Sequence, residues 1–131
     1  ITVMGKKRRI LVVDDEIDIL ELLKARLTAN GYDVTATSNG KDAIPLIKKS
    51  APDAVLLDIM MPGIDGLEIL KKIRSEDDRL PIFIITAFSN EERRTVANKY
   101  NASGFIVKTD NLQAEIDNIT RTIDIAARHA G

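Results

Sequence analysis

The chain has 131 residues, enough for one domain that buries about two-thirds of its unfolded surface without covalent staples. Lys plus Arg number 19 against 20 Asp plus Glu, a net charge of -1, which argues against a dedicated nucleic-acid or membrane-surface binder. With no Cys, no Trp and the single His129, disulfide scaffolds, zinc ribbons, thiol catalysis and His-based triads are excluded on inventory.

No signal-peptide pattern opens the chain. Ile1–Thr2–Val3 ahead of Met4 reads as a cloning remnant, so residues 1–7 are expected to be an extension and residues 8–129 the folded domain. Lys6–Lys7–Arg8–Arg9 fits a solvated approach to a first strand better than a nucleic-acid arm. Ile10–Val13 is aliphatic throughout, the signature of a parallel strand covered on both faces. A helix follows from Ile17 to Leu27, with Ile17, Leu20, Leu23 and Leu27 on its apolar face and Gly31 as its stop. Asp33–Thr37 alternates polar and apolar residues and suits an edge strand. The next helix, near Asp42 to Lys49, should start irregularly because Pro45 cannot donate to the carbonyl of Lys41.

Ala54–Leu57 is a second unbroken apolar run, and Leu67, Leu70 and Ile73 mark a helix opening after Gly66. Ile82–Ile85 is the third run. Ser89–Asn90–Glu91–Glu92 has the capping-box pattern, which predicts a helix from there to Tyr100. That helix offers only Val96, Ala97 and Tyr100 for burial, and such thin anchoring makes it the natural moving element. Phe105–Val107 is the last run, and Leu112, Ile116, Ile119 and Ile123 mark a final helix. The runs fall far short of the roughly 20 residues of a membrane span. Five strands alternating with five helices predict an α/β fold, a doubly wound parallel sheet with its site at the carboxyl ends of the strands.

The residues at those ends are of a restricted kind. Asp14–Asp15 follow the first run, Asp58 the second, Thr86 the third and Lys108 the last. A parallel sheet gathers them on one rim. Clustered carboxylates repel by about 1 to 4 kcal/mol per pair at 4 Å. A hard divalent cation relieves this, and an all-oxygen donor set suits Mg²⁺. Lys108 is suited to phosphate, the Thr86 hydroxyl can donate to a phosphoryl oxygen, and Asp58 can attack phosphorus. Any single Asp after a strand is an ordinary cap or turn residue; the full set is not.

These stretches resemble response-regulator receiver domains of the chemotaxis CheY type. The likeness rests on Leu11–Glu16, Leu57–Gly66, Ile85–Thr86–Ala87 and Ala102–Lys108, and runs from about Arg8 onward. It implies a flavodoxin-like sheet of order 2-1-3-4-5. It also implies a phosphoacceptor switch, an enzyme only toward its own phosphorylation and dephosphorylation. Asp58 would accept phosphate from a phosphohistidine on a sensor histidine kinase or a histidine phosphotransfer protein. Asp15, Asp58 and the Met60 carbonyl would bind Mg²⁺, with Asp14 acting through water. Lys108 and Thr86 would contact the phosphoryl group, and Thr86 with Phe105 would form the switch that alters the surface of the fourth helix, fifth strand and fifth helix. The near-balanced charge and short apolar runs point to a cytoplasmic protein without direct nucleic-acid or membrane binding; its downstream partner is unidentified, and a homodimer through the last two helices is left open. His129 is expected on the surface and not as the phosphodonor.

Several positions depart from the family. Thr109 follows the lysine where the family usually has a cis proline, and a cis bond before a non-proline costs about 2.5–4 kcal/mol, which leaves a trans bond or a strained cis one. Asn101 replaces a frequent glycine, and Asn tolerates the left-handed conformation a helix stop needs. Phe105 lacks a tyrosine hydroxyl, so it is either the switch aromatic or an ordinary buried one. Met60 and Phe88 are apolar where the family tunes hydrolysis, which predicts hindered dephosphorylation. The alternatives are a Mg²⁺-dependent aspartyl-phosphate phosphatase, which wants a second Asp where Met60 stands, a flavodoxin-like flavin binder, which wants a Ser/Thr/Gly-rich loop where Asp14–Asp15–Glu16 stands, and a receiver fold used only for protein contact.

Overall fold

A computed structural model describes residues 7–87 and 90–129. The expected cloning remnant Ile1–Thr2–Val3, the tuning residue Phe88, Ser89 of the capping box and the side chain of His129 lie outside the described residues.

Five strands form one parallel sheet: β1 (Arg9–Val13), β2 (Asp33–Thr37), β3 (Ala54–Asp58), β4 (Ile82–Thr86) and β5 (Gly104–Val107). Their spatial order is β2-β1-β3-β4-β5, the predicted order. Helices α1 (Ile17–Ala29), α2 (Ala43–Ser50), α3 (Gly66–Glu76), α4 (Glu91–Lys99) and α5 (Leu112–His129) connect or follow them. Alternate residues of each strand feed two cores. Ile10, Val12, Leu56 and Phe83 pack with α1 and α5, while Leu11, Val13, Leu57 and Ile84 pack with α3 and Ala97 of α4. Both faces being covered explains why the central strands carry no polar alternation. β2 does lie at the edge, but it is half-buried over most of its length and does not alternate.

Local chemistry sets the element ends. A 3₁₀ turn, Gly40–Asp42, leads into α2, the irregular start expected ahead of Pro45. Gly31 has φ +96°, the left-handed conformation that ends α1. Asn101 adopts φ +57° after α4, so the stop survives the loss of glycine. Two expectations are corrected. Ile17 is 51% exposed and Ile19 takes its place in the core, because α1 is rotated to put Ile19, Leu20, Leu23 and Leu27 inward. The cap of α4 is Asn90, whose side chain accepts from the Arg93 amide at 2.8 Å; an Asn at that position needs no capping box.

One element was unforeseen. Met60–Met61 and Ile64–Asp65 form a two-residue antiparallel ribbon between β3 and α3. Behind it, a Cβ on Gly66 would stand 2.3 Å from the Ile59 Cα and 2.8 Å from the Asp58 carbonyl oxygen. Glycine thus lets the start of α3 rest against the end of β3, with Asp65 capping through its bond from the Leu67 amide.

Candidate functional site

The parallel register brings the carboxyl ends of β1, β3, β4 and β5 together. Asp58 and Thr86 are the last residues of their strands and not the first of the following loops. Asp14 directly follows β1, where its amide bonds the Thr37 carbonyl and its Oδ1 accepts from the Glu16 amide at 2.9 Å. Asp58 Oδ1 is likewise held by the Met60 amide at 2.9 Å. Asp14, Asp58 and Thr86 are buried, three of the five polar residues in the described interior.

Lys108 reaches into this cluster with its side chain 6% exposed. Its ammonium nitrogen lies 3.1 Å from Asp58 Oδ2, 3.1 Å from Asp14 Oδ2 and 2.6 Å from Glu16 Oε1. Burial alone would lower its pKa, but the Glu16 hydrogen bond and the charges of Asp14 and Asp58 outweigh it and raise the pKa. The carboxyls are shifted too. Burial pushes Asp58 up to about 7, helped by the charge of Asp14 and opposed by Lys108 and the Met60 amide. Burial also raises Asp14, against the Glu16 amide and Lys108.

Three carboxylates against one ammonium leave the rim negative. Asp14, Glu16 and Asp58 each offer an oxygen within 4.8 Å of the others. The ammonium hydrogen-bonds Asp14 Oδ1 at 3.3 Å, while the buried Oδ2 makes an ion pair with it at 3.1 Å and no hydrogen bond. An oxygen-only set of three carboxylates, one with a buried oxygen that lacks a hydrogen bond, fits a hard divalent cation.

Of the anticipated residues, Asp14, Asp58 and Lys108 meet directly. Thr86 stands buried beside them, and its carbonyl accepts from the Lys108 amide at 2.7 Å. Asp15 is half-buried and outside the three-carboxylate group. Met60 is 41% exposed and lines, with Arg93, a groove of about 470 Å³ that does not include Asp14, Asp58 or Lys108. Phe105 is half-buried, paired with Ile84 in register, and its ring lies under the Arg94 guanidinium at 4.8 Å. The Lys108–Thr109 peptide is trans.

Two residues were missed. Glu16 belongs to the quoted Asp14–Asp15–Glu16 run, but its bond to Lys108 depends on a turn that no spacing specifies. Glu115 is 3% exposed and accepts from the Thr109 amide at 2.7 Å. A charge in the row Glu115–Ile119–Ile123, four residues apart on a buried face, was the available signal.

Comparison with known proteins agrees with this geometry. Residues 10–120 match the model of the response regulator receiver domain. The chain is 42% identical over 100 residues to response regulator MprA of Mycolicibacterium vanbaalenii, covering 76% of this chain and 43% of that protein. It is 37% identical over 125 residues to the probable transcriptional regulator ycf27 of Porphyridium aerugineum, covering 93% and 52%. The chain therefore spans about half the length of these curated relatives. Among solved structures, response regulator TrrA of Thermotoga maritima, in complex with Mg²⁺ and BeF, superposes with a TM-score of 0.72 at 36% identity over 88% of this chain and 98% of that one. Among the described residues no helix is long and apolar enough to cross a membrane.

Proposed function

This chain belongs to the response regulator receiver domain family, and on that premise we propose that Asp58 is the phosphoacceptor of a two-component signalling switch. The observation that carries this is the buried Asp58 carboxylate, 1% exposed, with the Lys108 ammonium 3.1 Å from its Oδ2. An Asp58 oxygen attacks the phosphorus of a phosphohistidine on a partner protein. The oxygen–phosphorus bond forms as the phosphorus–nitrogen bond breaks, and the departing imidazole nitrogen keeps the electron pair and is reprotonated from solvent.

The chain's own groups serve that transfer. The Met60 amide fixes Asp58 Oδ1, leaving Oδ2 on the Lys108 side as the attacking oxygen. Lys108 holds its proton and is poised to exchange a carboxylate for a phosphoryl oxygen. Thr86, at the end of the neighbouring strand, supplies a hydroxyl to the same group. Asp15, Asp58 and the Met60 carbonyl, with Asp14 through water, are the residues to hold Mg²⁺, which when bound neutralises charge on the phosphoryl oxygens. The apolar Met60 side chain, two residues after Asp58, is expected to hinder the approach of water and slow hydrolysis.

The output surface is α4, β5 and α5, where Arg94 stacks on Phe105. Phosphorylation shifts a pre-existing equilibrium of that surface, and moving it from mostly off to mostly on takes about 5.5 kcal/mol of differential stabilisation. The donor is a histidine kinase or histidine phosphotransfer protein. The relatives described as response and transcriptional regulators support a signalling output.

Incubation with Mg²⁺ and a small acyl phosphate is expected to add one phosphoryl group to the intact mass. If the wild type gains none, or Asp58→Asn gains as much, the reading fails.

A further inference from the structure

The peptide between Lys108 and Thr109 is held from two sides. The Lys108 amide donates to the Thr86 carbonyl at 2.7 Å, and the Thr109 amide donates to Glu115 Oε1 at 2.7 Å. Glu115 sits in the first turn of α5, where a buried position would ordinarily take an apolar residue. Burial foremost raises its pKa; the Thr109 amide and the charge of Lys108 oppose that shift, while Glu16 and Asp14 add to it. A carboxyl is retained in such a place only where it satisfies a partner. The partner is the first backbone N–H after the rim lysine. A proline at position 109 would have no such N–H, so Thr109 and Glu115 form a matched pair: a buried amide and the buried acceptor that satisfies it.

We propose that Glu115 is a positioning residue for Lys108. By fixing the plane of the Lys108–Thr109 peptide, its carboxyl sets the direction in which the lysine side chain leaves β5. The ammonium then falls between Asp14 and Asp58. Thr109 Oγ1 donates to the Asn111 carbonyl at 3.1 Å, and Asn111 Oδ1 accepts from the Ala114 amide at 3.0 Å, so the clamp ties the rim lysine to the first turn of α5. The effect on phosphoryl transfer rests on the phosphoacceptor reading above; the clamp itself does not.

The test compares Glu115→Met, which keeps length and loses the acceptor, with Glu115→Gln, which keeps an acceptor and loses the charge. Two quantities are read on protein whose melting is cooperative: exchange of the Thr109 amide by NMR, and phosphorylation by acetyl phosphate with Mg²⁺, resolved into maximal rate and half-saturating donor concentration. Glu115→Met is expected to exchange the Thr109 amide at least about tenfold faster and to lower the maximal rate about tenfold, as a displaced catalytic group does. The half-saturating concentration should stay within about threefold, and Glu115→Gln should recover the rate to within about threefold of wild type. A Met variant that phosphorylates at the wild-type rate overturns the proposal, as does a Gln variant as slow as Met or a Thr109 amide equally protected in all three. Should Met prevent folding, the Gln variant decides alone: a wild-type rate and a protected amide uphold the clamp, and loss of both overturns it. A wild type that accepts no phosphoryl group defeats the phosphoacceptor reading, while the amide comparison still decides the clamp.

Discussion

Helices α4 and α5 flank the same edge strand, β5, yet they are anchored in different ways. α5 buries Ile116, Ile119 and Ile123, and its polar face is tied to α1 and the turn after it by Arg26–Asp117 at 2.6 Å and Tyr32–Asp124 at 2.7 Å. α4 buries one side chain, Ala97. Val96 and Tyr100 are only partly buried beside it, and the remaining ties are polar: Arg94 stacks on Phe105, and Arg74 of α3 donates to the carbonyls of Tyr100 at 2.8 Å and Asn101 at 3.0 Å. A helix that buries a single alanine can tilt with little cavity formation, whereas one seated on three isoleucines cannot. The difference predicts that α4 moves more readily than α5, which serves as its frame.

The largest effect should come from the frame. Ile119→Ala is expected to cost about 3 kcal/mol of unfolding free energy by urea titration; a loss below about 1 kcal/mol would show that α5 is not the rigid partner. Arg74→Met removes the polar tether and should cost about 2 kcal/mol, with amide exchange accelerated in α4 well before α5. Equal acceleration in both helices would break the contrast.

Asp58→Asn tests the rim at the ends of the strands, in metal-free buffer. The folded protein raises Asp58 from 3.8 to about 7. Between those values the folded state keeps a proton that the unfolded chain has released, so wild-type stability falls as pH rises through that window. The Asn variant lacks this titration and should be about 1–2 kcal/mol more stable than wild type near pH 8, the gap closing toward about pH 4. A gap that does not vary with pH contradicts the shift. Smallest is Arg94→Ala. Losing the stack on Phe105 should cost about 0.5–1 kcal/mol, read by denaturant midpoint together with greater mobility of the Phe105 ring.

Much of this was legible in the residues. Ile10–Val13, Ala54–Leu57 and Ile82–Ile85 read as strands because being covered on both faces leaves no room for polar alternation, and the polar residues that end them identified the rim. What escaped depends on rotation and on distant partners. Ile17 and Ile19 are equally apolar, and only the seating of α1 on the sheet selects the second. Asp15 and Glu16 are equally acidic, but the turn after Asp14 sends Glu16 to the lysine. Ser89 offered a fuller capping pattern than Asn90, though a single side-chain acceptor sufficed. Glu115 was hidden for another reason, since its partner amide is reached through the β5–α5 turn.

The end of α4 also has an optical consequence. The protein has no tryptophan and two tyrosines. The Tyr32 phenol donates to the Asp124 carboxylate, and its pKa rises to about 12 through burial and that bond. A phenol bonded to a carboxylate is quenched in its excited state, which dims Tyr32. Tyr100 caps the end of α4 with the ammonium groups of Lys71 and Lys99 5.9 and 5.8 Å from its ring centroid. The ultraviolet emission of the unlabelled protein is therefore expected mainly from Tyr100 at the end of α4, and displacement of that helix should be readable as a change in brightness without a dye.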